Sequence, residues 1–373
     1  MDVVFDDDEL RKMADRLPGR AFDMWRYTEA LPIPVGAALP PVSVGGSPVS
    51  LAPRLADHLG VARVVVKDDG RNPSASLKDR ASAVGVVMAV AAGADRIACA
   101  STGNAASSCA CIAASMNLPA TIFVPERAPR PKVAQLRMFG AQVFRVRSDY
   151  DTAWDLCGEV TARQGWFNRN CAINPYLVEG KKTVALELAE QLGADMPEWV
   201  AISVGDGCTI AGLVKGLEQA HIAGLIPFVP RVLGVQASGA QPLVTAFRAG
   251  RTTFDAGSVA TVADSICVGH PRNGLKALDA VRRVGGDYVA VEDEAILDAM
   301  RQCARLGGVF GEPAGVAAAA GIIQARAENI IAASESVALV VTGNGLKDVD
   351  TAIAAVTGPT DVDPTLDAVL AEL

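Results

Sequence analysis

Open, mostly parallel sheets flanked by helices, an α/β architecture in two domains, are what the sequence predicts. Short β-branched runs alternate with helix-patterned stretches at a spacing that suits parallel strands and right-handed crossovers. Composition points the same way, since of 373 residues half are hydrophobic, only 5% are aromatic and 35 are glycine. Small residues at that density favour close helix-on-sheet packing and backbone approach to a ligand. The length suits two or three domains, or one large α/β unit.

Residues 1–50 read as a mixed helical and proline-rich lead-in, with Trp25 and Tyr27 as packing anchors. The run 61–66 is a buried strand, and Asp68-Asp69-Gly70 and Asn72-Pro73 break the chain after it. A helix starts near Leu77, where Ser76-Leu77-Lys78-Asp79 has the form of a capping box. Strands follow at 96–100, 120–124 and 142–146, with helices at 105–115 and 132–139 between them. The second half repeats this grammar: an amphipathic helix at 181–192, a strand at 199–204, a helix at 210–221 and a strand at 231–236. A less regular stretch covers 237–286. Helices at 293–306 and 315–327 precede a last strand at 337–342, and the tail from Gly358 is peripheral.

A net charge of −8 without a basic block argues against a nucleic-acid partner. Eight cysteines without a CxxC pair, beside three histidines, give no support for a metal site. Cys99, Cys109, Cys111, Cys157, Cys171, Cys208, Cys267 and Cys303 are scattered, several of them inside apolar runs where a reduced cysteine acts as a small hydrophobe, which fits a cytoplasmic protein. The acidic start, MDVVFDDDEL, is unlike a signal peptide. No apolar run reaches the ~18 residues of a membrane span.

Lys78 is out of place by charge, because the first turn of a helix carries partial positive charge and disfavours a second cation. A lysine held there loses its proton more easily, and a neutral amine attacks carbonyl carbon. The alternative is a solvated lysine on an exposed turn. Ligands of open α/β sheets sit beyond the carboxyl ends of strands, and three more polar loops lie there. Ser101-Thr102-Gly103-Asn104 offers neutral donors for a carboxylate, or caps for the next helix. Gly205, Asp206, Gly207, Cys208 and Thr209 offer amides and a hydroxyl at a helix N-terminus, a phosphate cradle or an ordinary tight turn. Cys208 reads as a small residue packed beside phosphate. Thr342-Gly343-Asn344-Gly345 closes the set. His58, His221 and His270 read as structural.

The order of a lysine after a strand, a Ser/Thr-Gly-Asn turn and a glycine loop is that of the fold-type II pyridoxal phosphate enzymes. Within them the chain resembles the threonine synthase family. The resemblance is carried by 67–80 (KDDGRNPSASLKDR), 101–104 (STGN), 132–135 (KVAQ), Asn174-Pro175 with 179–183 (EGKKT), 312–314 (EPA) and 342–348 (TGNGLKD). It implies that Lys78 bears pyridoxal 5'-phosphate as a Schiff base, that Asn104 bonds the ring hydroxyl, and that residues 205–209 hold the phosphate. Thr342 would face the pyridine nitrogen, where a hydroxyl leaves that nitrogen unprotonated. Ser101, Thr102 and Gly103 would receive the substrate carboxylate, and Lys132 would also bind substrate.

The implied reaction converts O-phosphohomoserine and water into threonine and phosphate. The implied division is a large cofactor domain, 1–85 with 181–373, whose residues 1–50 form an arm, and a smaller movable domain at 86–180. A homodimer is expected. The chain departs from the family at Leu177, where an arginine is usual, at Cys171-Ala172 in place of Asn-Ser, and at Asn344 in place of histidine. Arg169 and Lys182 are candidate replacement cations. These changes leave open β-elimination or β-replacement on an unphosphorylated or shorter amino acid.

Overall fold

The computed structural model describes residues 2–128, 130–257 and 259–373. In chain order the elements are α1 (Asp7–Arg16), β1 (Val49–Leu51), α2 (Pro53–Leu59), β2 (Arg63–Asp68), α3 (Lys78–Ala91), β3 (Ile97–Ala100), α4 (Asn104–Ser115) and β4 (Ala120–Pro125). Then come α5 (Arg130–Met138), β5 (Gln142–Val146), α6 (Tyr150–Gln164), β6 (Phe167–Asn168), α7 (Tyr176–Leu192), β7 (Trp199–Ser203), α8 (Cys208–Ile222) and β8 (Arg231–Ala237). The chain ends with α9 (Pro242–Arg248), α10 (Gly274–Arg283), β9 (Asp287–Val291), α11 (Asp293–Gly307), α12 (Pro313–Ala327), β10 (Ser336–Val341), α13 (Val349–Ala354) and α14 (Leu366–Ala371).

A six-stranded sheet runs β1-β2-β10-β7-β8-β9, and a four-stranded sheet runs β5-β4-β3-β6. Only the edge strand β1 pairs antiparallel; every other described ladder is parallel. The central strands are valine-rich because both faces are covered, as in Val64, Val65 and Val66 of β2 and residues 337–341 of β10. The alternation expected from sequence is therefore present. The core of the four-stranded sheet also takes Met24, Trp25, Leu31 and Val44 from the lead-in. Tyr27 is fully buried and donates its hydroxyl to Glu190 over 2.6 Å. Among the described residues no helix is long and apolar enough to cross a membrane, and no cluster of His, Cys, Asp and Glu is placed to hold a metal.

Three expectations need correction. The helix expected at 181–192 begins at Tyr176 and is enclosed rather than amphipathic, because α3 and α8 pack on it from both sides. A Cβ at Gly180 would lie 2.2 Å from the Arg80 carbonyl, so glycine permits that approach. Ser76 does not cap α3, whose N-cap is Leu77 with no side-chain bond. Instead Asp79 accepts from the Ser74 amide at 2.7 Å and the Ser74 hydroxyl at 2.5 Å. The stretch 237–286 is also more regular than expected, holding α9 and α10 and leading straight into β9.

The start of α3 is pinned from below. Arg80 is wholly buried and binds Asp69, after β2, and Glu187, on α7, at 2.6–2.8 Å. Lys67 of β2 also reaches Glu187 at 2.8 Å. Two cations against two carboxylates leave this network locally neutral, the condition for burying it.

Candidate active site

Lys78 is the first residue of α3 and lies at the carboxyl end of β2. Its backbone is fixed to the loop after β10, since the Leu77 amide donates to the Thr342 carbonyl at 2.9 Å and Ser76 bridges Gly343. No described residue forms an ion pair with the Lys78 ammonium. Burial, helped by the nearby charges of Lys181 and Arg169, lowers its pKa below the ordinary lysine value. That is the state in which an amine is nucleophilic.

Lys78 shares one pocket with Asn104, residues 205–209 and Thr342, which come from the carboxyl ends of both sheets. The 205–209 loop excludes a side chain at Gly207 and leaves only a tight fit at Gly205. Gly207 has φ +84°, and a Cβ there would lie 2.8 Å from the Ala277 Cβ. One at Gly205 would lie 3.2 Å from the Ile266 backbone. The loop is clamped by the turn before α10, as the Asp206 carbonyl accepts from the Asn273 amide at 2.9 Å. What remains is a tight turn ending in the unsatisfied first-turn amides of a long helix, a shape and charge suited to a phosphate.

Asn104 opens α4 and gives one amide hydrogen to Glu312 Oε1 at 2.6 Å. Its second amide hydrogen is left for a ligand. Glu312 is buried at the N-cap of α12, and burial raises its carboxyl above the ordinary range.

Ser101, Thr102, Gly103 and Lys132 do not line this pocket. Ser101 Oγ accepts from the Gly103 amide at 3.1 Å, which leaves its own proton to donate. Lys132 pairs with Asp264 at 2.6 Å, beside the pocket residues Ser265 and Ile266. Leu177 is 1% exposed and turns away, packing against Gly85 of α3. Lys182 also turns away, to Glu179 at 2.6 Å and the Phe5 ring. Arg169 is buried and donates to Ser82.

Lys181 and Glu312 line the pocket and had no local sequence signal as site residues, and Cys171, marked in sequence only as a departure from the family, lines it too. Lys181 is 1% exposed, one residue from the lysine that sequence singled out. Its Nζ lies 3.5 Å from Cys171 Sγ. Burial works against the Lys181 charge, yet Cys171 and Cys208 hold its pKa above the usual value. A hydrogen bond from Cys208, then Lys181 and Arg169, hold the Cys171 thiol well below its ordinary value. Burial pushes Asp206 up to about 6.

A profile described as pyridoxal-phosphate dependent enzyme matches residues 42–343. The threonine synthase of Methanocaldococcus jannaschii is 35% identical over 367 residues, covering 97% of this chain and 90% of that protein. That of Methanosarcina acetivorans is 35% identical over 373 residues, covering 99% and 91%. Among solved structures, the processed form of threonine deaminase isoform 2 from Solanum lycopersicum superposes with a TM-score of 0.73 at 22% identity, covering 95% of this chain and 94% of that one. Maize serine racemase superposes with a TM-score of 0.71 at 21% identity, covering 92% and 94%. The structural likenesses establish the fold, an open α/β arrangement shared with these enzymes.

Proposed function

The chain belongs to the pyridoxal-phosphate dependent enzymes, and within that family we propose a threonine synthase-like lyase converting O-phosphohomoserine and water into threonine and phosphate. The observation that carries this reading is Lys78, enclosed, without a carboxylate partner, in the same pocket as a glycine cradle at a helix N-terminus. The pocket fits the cofactor on two further counts. The cradle has no room for a side chain at Gly207 and little at Gly205, and Asn104 has one amide hydrogen to spare.

In the proposed assignment, Lys78 Nζ bonds the cofactor and the amides and hydroxyl of 205–209 hold its phosphate. Lys181 adds a positive charge there, offsetting Asp206. Asn104, oriented by Glu312, would hold the ring hydroxyl, and Thr342 would serve the ring nitrogen. When bound, the cofactor supplies an electron sink for charge developing at the substrate Cα. Lys78 Nζ, free of the cofactor, would take the Cα proton as a neutral amine and, as the resulting ammonium, would return it along the substrate chain. Ser101, Thr102 and Gly103 bind the substrate carboxylate at the pocket rim. Lys132 faces the substrate when the unit formed by 86–180 closes over it and excludes water.

A second reading is favoured by one observation. Leu177 faces α3 and Cys171-Ala172 carry no cationic donor, so a phosphate on the substrate lacks a bidentate partner. That reading is β-elimination or β-replacement on an unphosphorylated or shorter amino acid. Incubation with O-phosphohomoserine, threonine, serine and O-phosphoserine separates the two. Threonine with free phosphate supports the first; keto acid and ammonia from threonine or serine alone support the second.

We also propose a homodimer and a cytoplasmic setting. The dimer is supported by an exposed apolar stripe at Leu346, Val349, Ile353 and Val356, and its mass by light scattering tests it. The setting is supported by eight free cysteines.

A further inference from the structure

Cys171 and Cys208 approach each other from different sheets. Cys171 follows β6 of the four-stranded sheet, whereas Cys208 is the first residue of α8, after β7 of the six-stranded sheet. Their sulfurs are 3.0 Å apart, and both face the pocket that holds Lys78. Cys171 is partly exposed as a residue and lines the pocket.

The surroundings favour a thiolate. Lys181 Nζ is 3.5 Å from Cys171 Sγ, and neither Lys181 nor the buried Arg169 has a carboxylate ion-pair partner among the described residues. A sulfur anion is the counter-charge within reach. Asp206 lines the same pocket, and with burial pushing it up to about 6 it shares the Lys181 charge with the Cys171 sulfur only above that pH. A thiolate next to a lysine, with a second thiol in contact, combines a reactive cysteine and its resolving partner.

We propose that Cys171 and Cys208 form a two-electron oxidation site for a small hydroperoxide, in which Cys171 reacts first and Cys208 resolves it to a disulfide. In the first step the Cys171 thiolate attacks the terminal peroxide oxygen. An S–O bond forms and the O–O bond breaks. The leaving oxygen departs as alcohol or water with a proton from the pocket, and Cys171 becomes a sulfenic acid. In the second step Cys208 sulfur, giving up its proton, attacks Cys171 sulfur. The S–S bond forms and the S–O oxygen leaves as water. The two sulfurs lose two electrons and the peroxide gains them. Closing from the observed contact to a disulfide of about 2.05 Å needs a movement of only about 1 Å. The product joins the two sheets at the floor of the pocket and fixes the loop that begins at Gly205.

Cys267 is an internal comparison. It is also partly exposed but has no thiol partner among the described residues, and burial pushes its pKa up. The test exposes reduced, full-length protein to limiting hydrogen peroxide, then quenches by alkylation and maps peptides by mass spectrometry. A Cys171–Cys208 disulfide is expected, formed at least about tenfold faster than Cys267 is oxidised, and reversed by dithiothreitol. Cys208→Ser should accumulate Cys171 sulfenic acid, trapped by dimedone, and Cys171→Ser should abolish the fast phase. The Cys208→Ser result is read on protein whose circular dichroism matches wild type. Oxidation of Cys171 no faster than Cys267, or sulfenic acid on Cys171 that never resolves to Cys208 in the wild type, overturns the proposal.

Discussion

Asn104 Nδ2 and Glu312 Oε1 meet at 2.6 Å and join the first turn of α4 to the N-cap of α12, across the pocket that Lys78 enters. The contact spans the two sheets and fixes which way the asparagine presents its remaining amide hydrogen. Glu312→Ala should leave a buried donor unsatisfied, destabilising the fold by about 1–3 kcal/mol in urea titration and weakening cofactor binding. Glu312→Gln keeps an acceptor and should recover most of both.

Arg80 should be the most sensitive residue outside the pocket. Its loss leaves Asp69 and Glu187 facing each other without their shared cation. Arg80→Met should cost about 3–5 kcal/mol in equilibrium unfolding. Asp69→Asn added to Arg80→Met should restore part of that loss.

Lys181 offers a test specific to the cofactor phosphate. Lys181→Gln removes one charge-assisted donor from the cradle, worth about 1.5–3 kcal/mol. Pyridoxal phosphate should bind at least about tenfold more weakly by fluorescence titration. Pyridoxal, which lacks the phosphate, should bind unchanged.

Asp206 sets a pH dependence. In the folded chain burial holds its pKa up at about 6, above the unfolded value near 3.8. Between those values the native state binds more protons than the unfolded state, so stability falls as pH rises through that window. Above it the full penalty is present. Asp206→Asn should therefore be more stable than wild type at neutral pH by about 1–3 kcal/mol, with the difference fading toward about pH 4, by thermal or urea unfolding of the cofactor-free protein.

Valine runs made β2 and β10 readable, and the polar loops at 101 and 205 announced themselves by following the short apolar strands β3 and β7. Lys78, Asn104, residues 205–209 and Thr342 were thus found together, because loops at the carboxyl ends of parallel strands converge. Other elements hid for physical reasons. β9 is a short strand whose burial is visible only beside β8, and α6 has a polar surface that masks its period. Lys181 and Glu312 reach the pocket from helices, where direction depends on packing rather than on neighbours in sequence. In α7, Lys181 lines the pocket and Lys182 turns to Glu179, since successive helical positions point about 100° apart. The capping-box pattern at Ser76 failed because Asp79 found Ser74, held within the turn by the break at Asn72-Pro73.

The central claim is that Lys78 is the residue that bears the cofactor. Protein saturated with pyridoxal phosphate should be reduced with borohydride, digested, and searched for the pyridoxyl-modified peptide. The account predicts modification at Lys78 in the wild type and none in Lys78→Ala. Modification at Lys181 or another lysine in the wild type, or no modification at all, would contradict it.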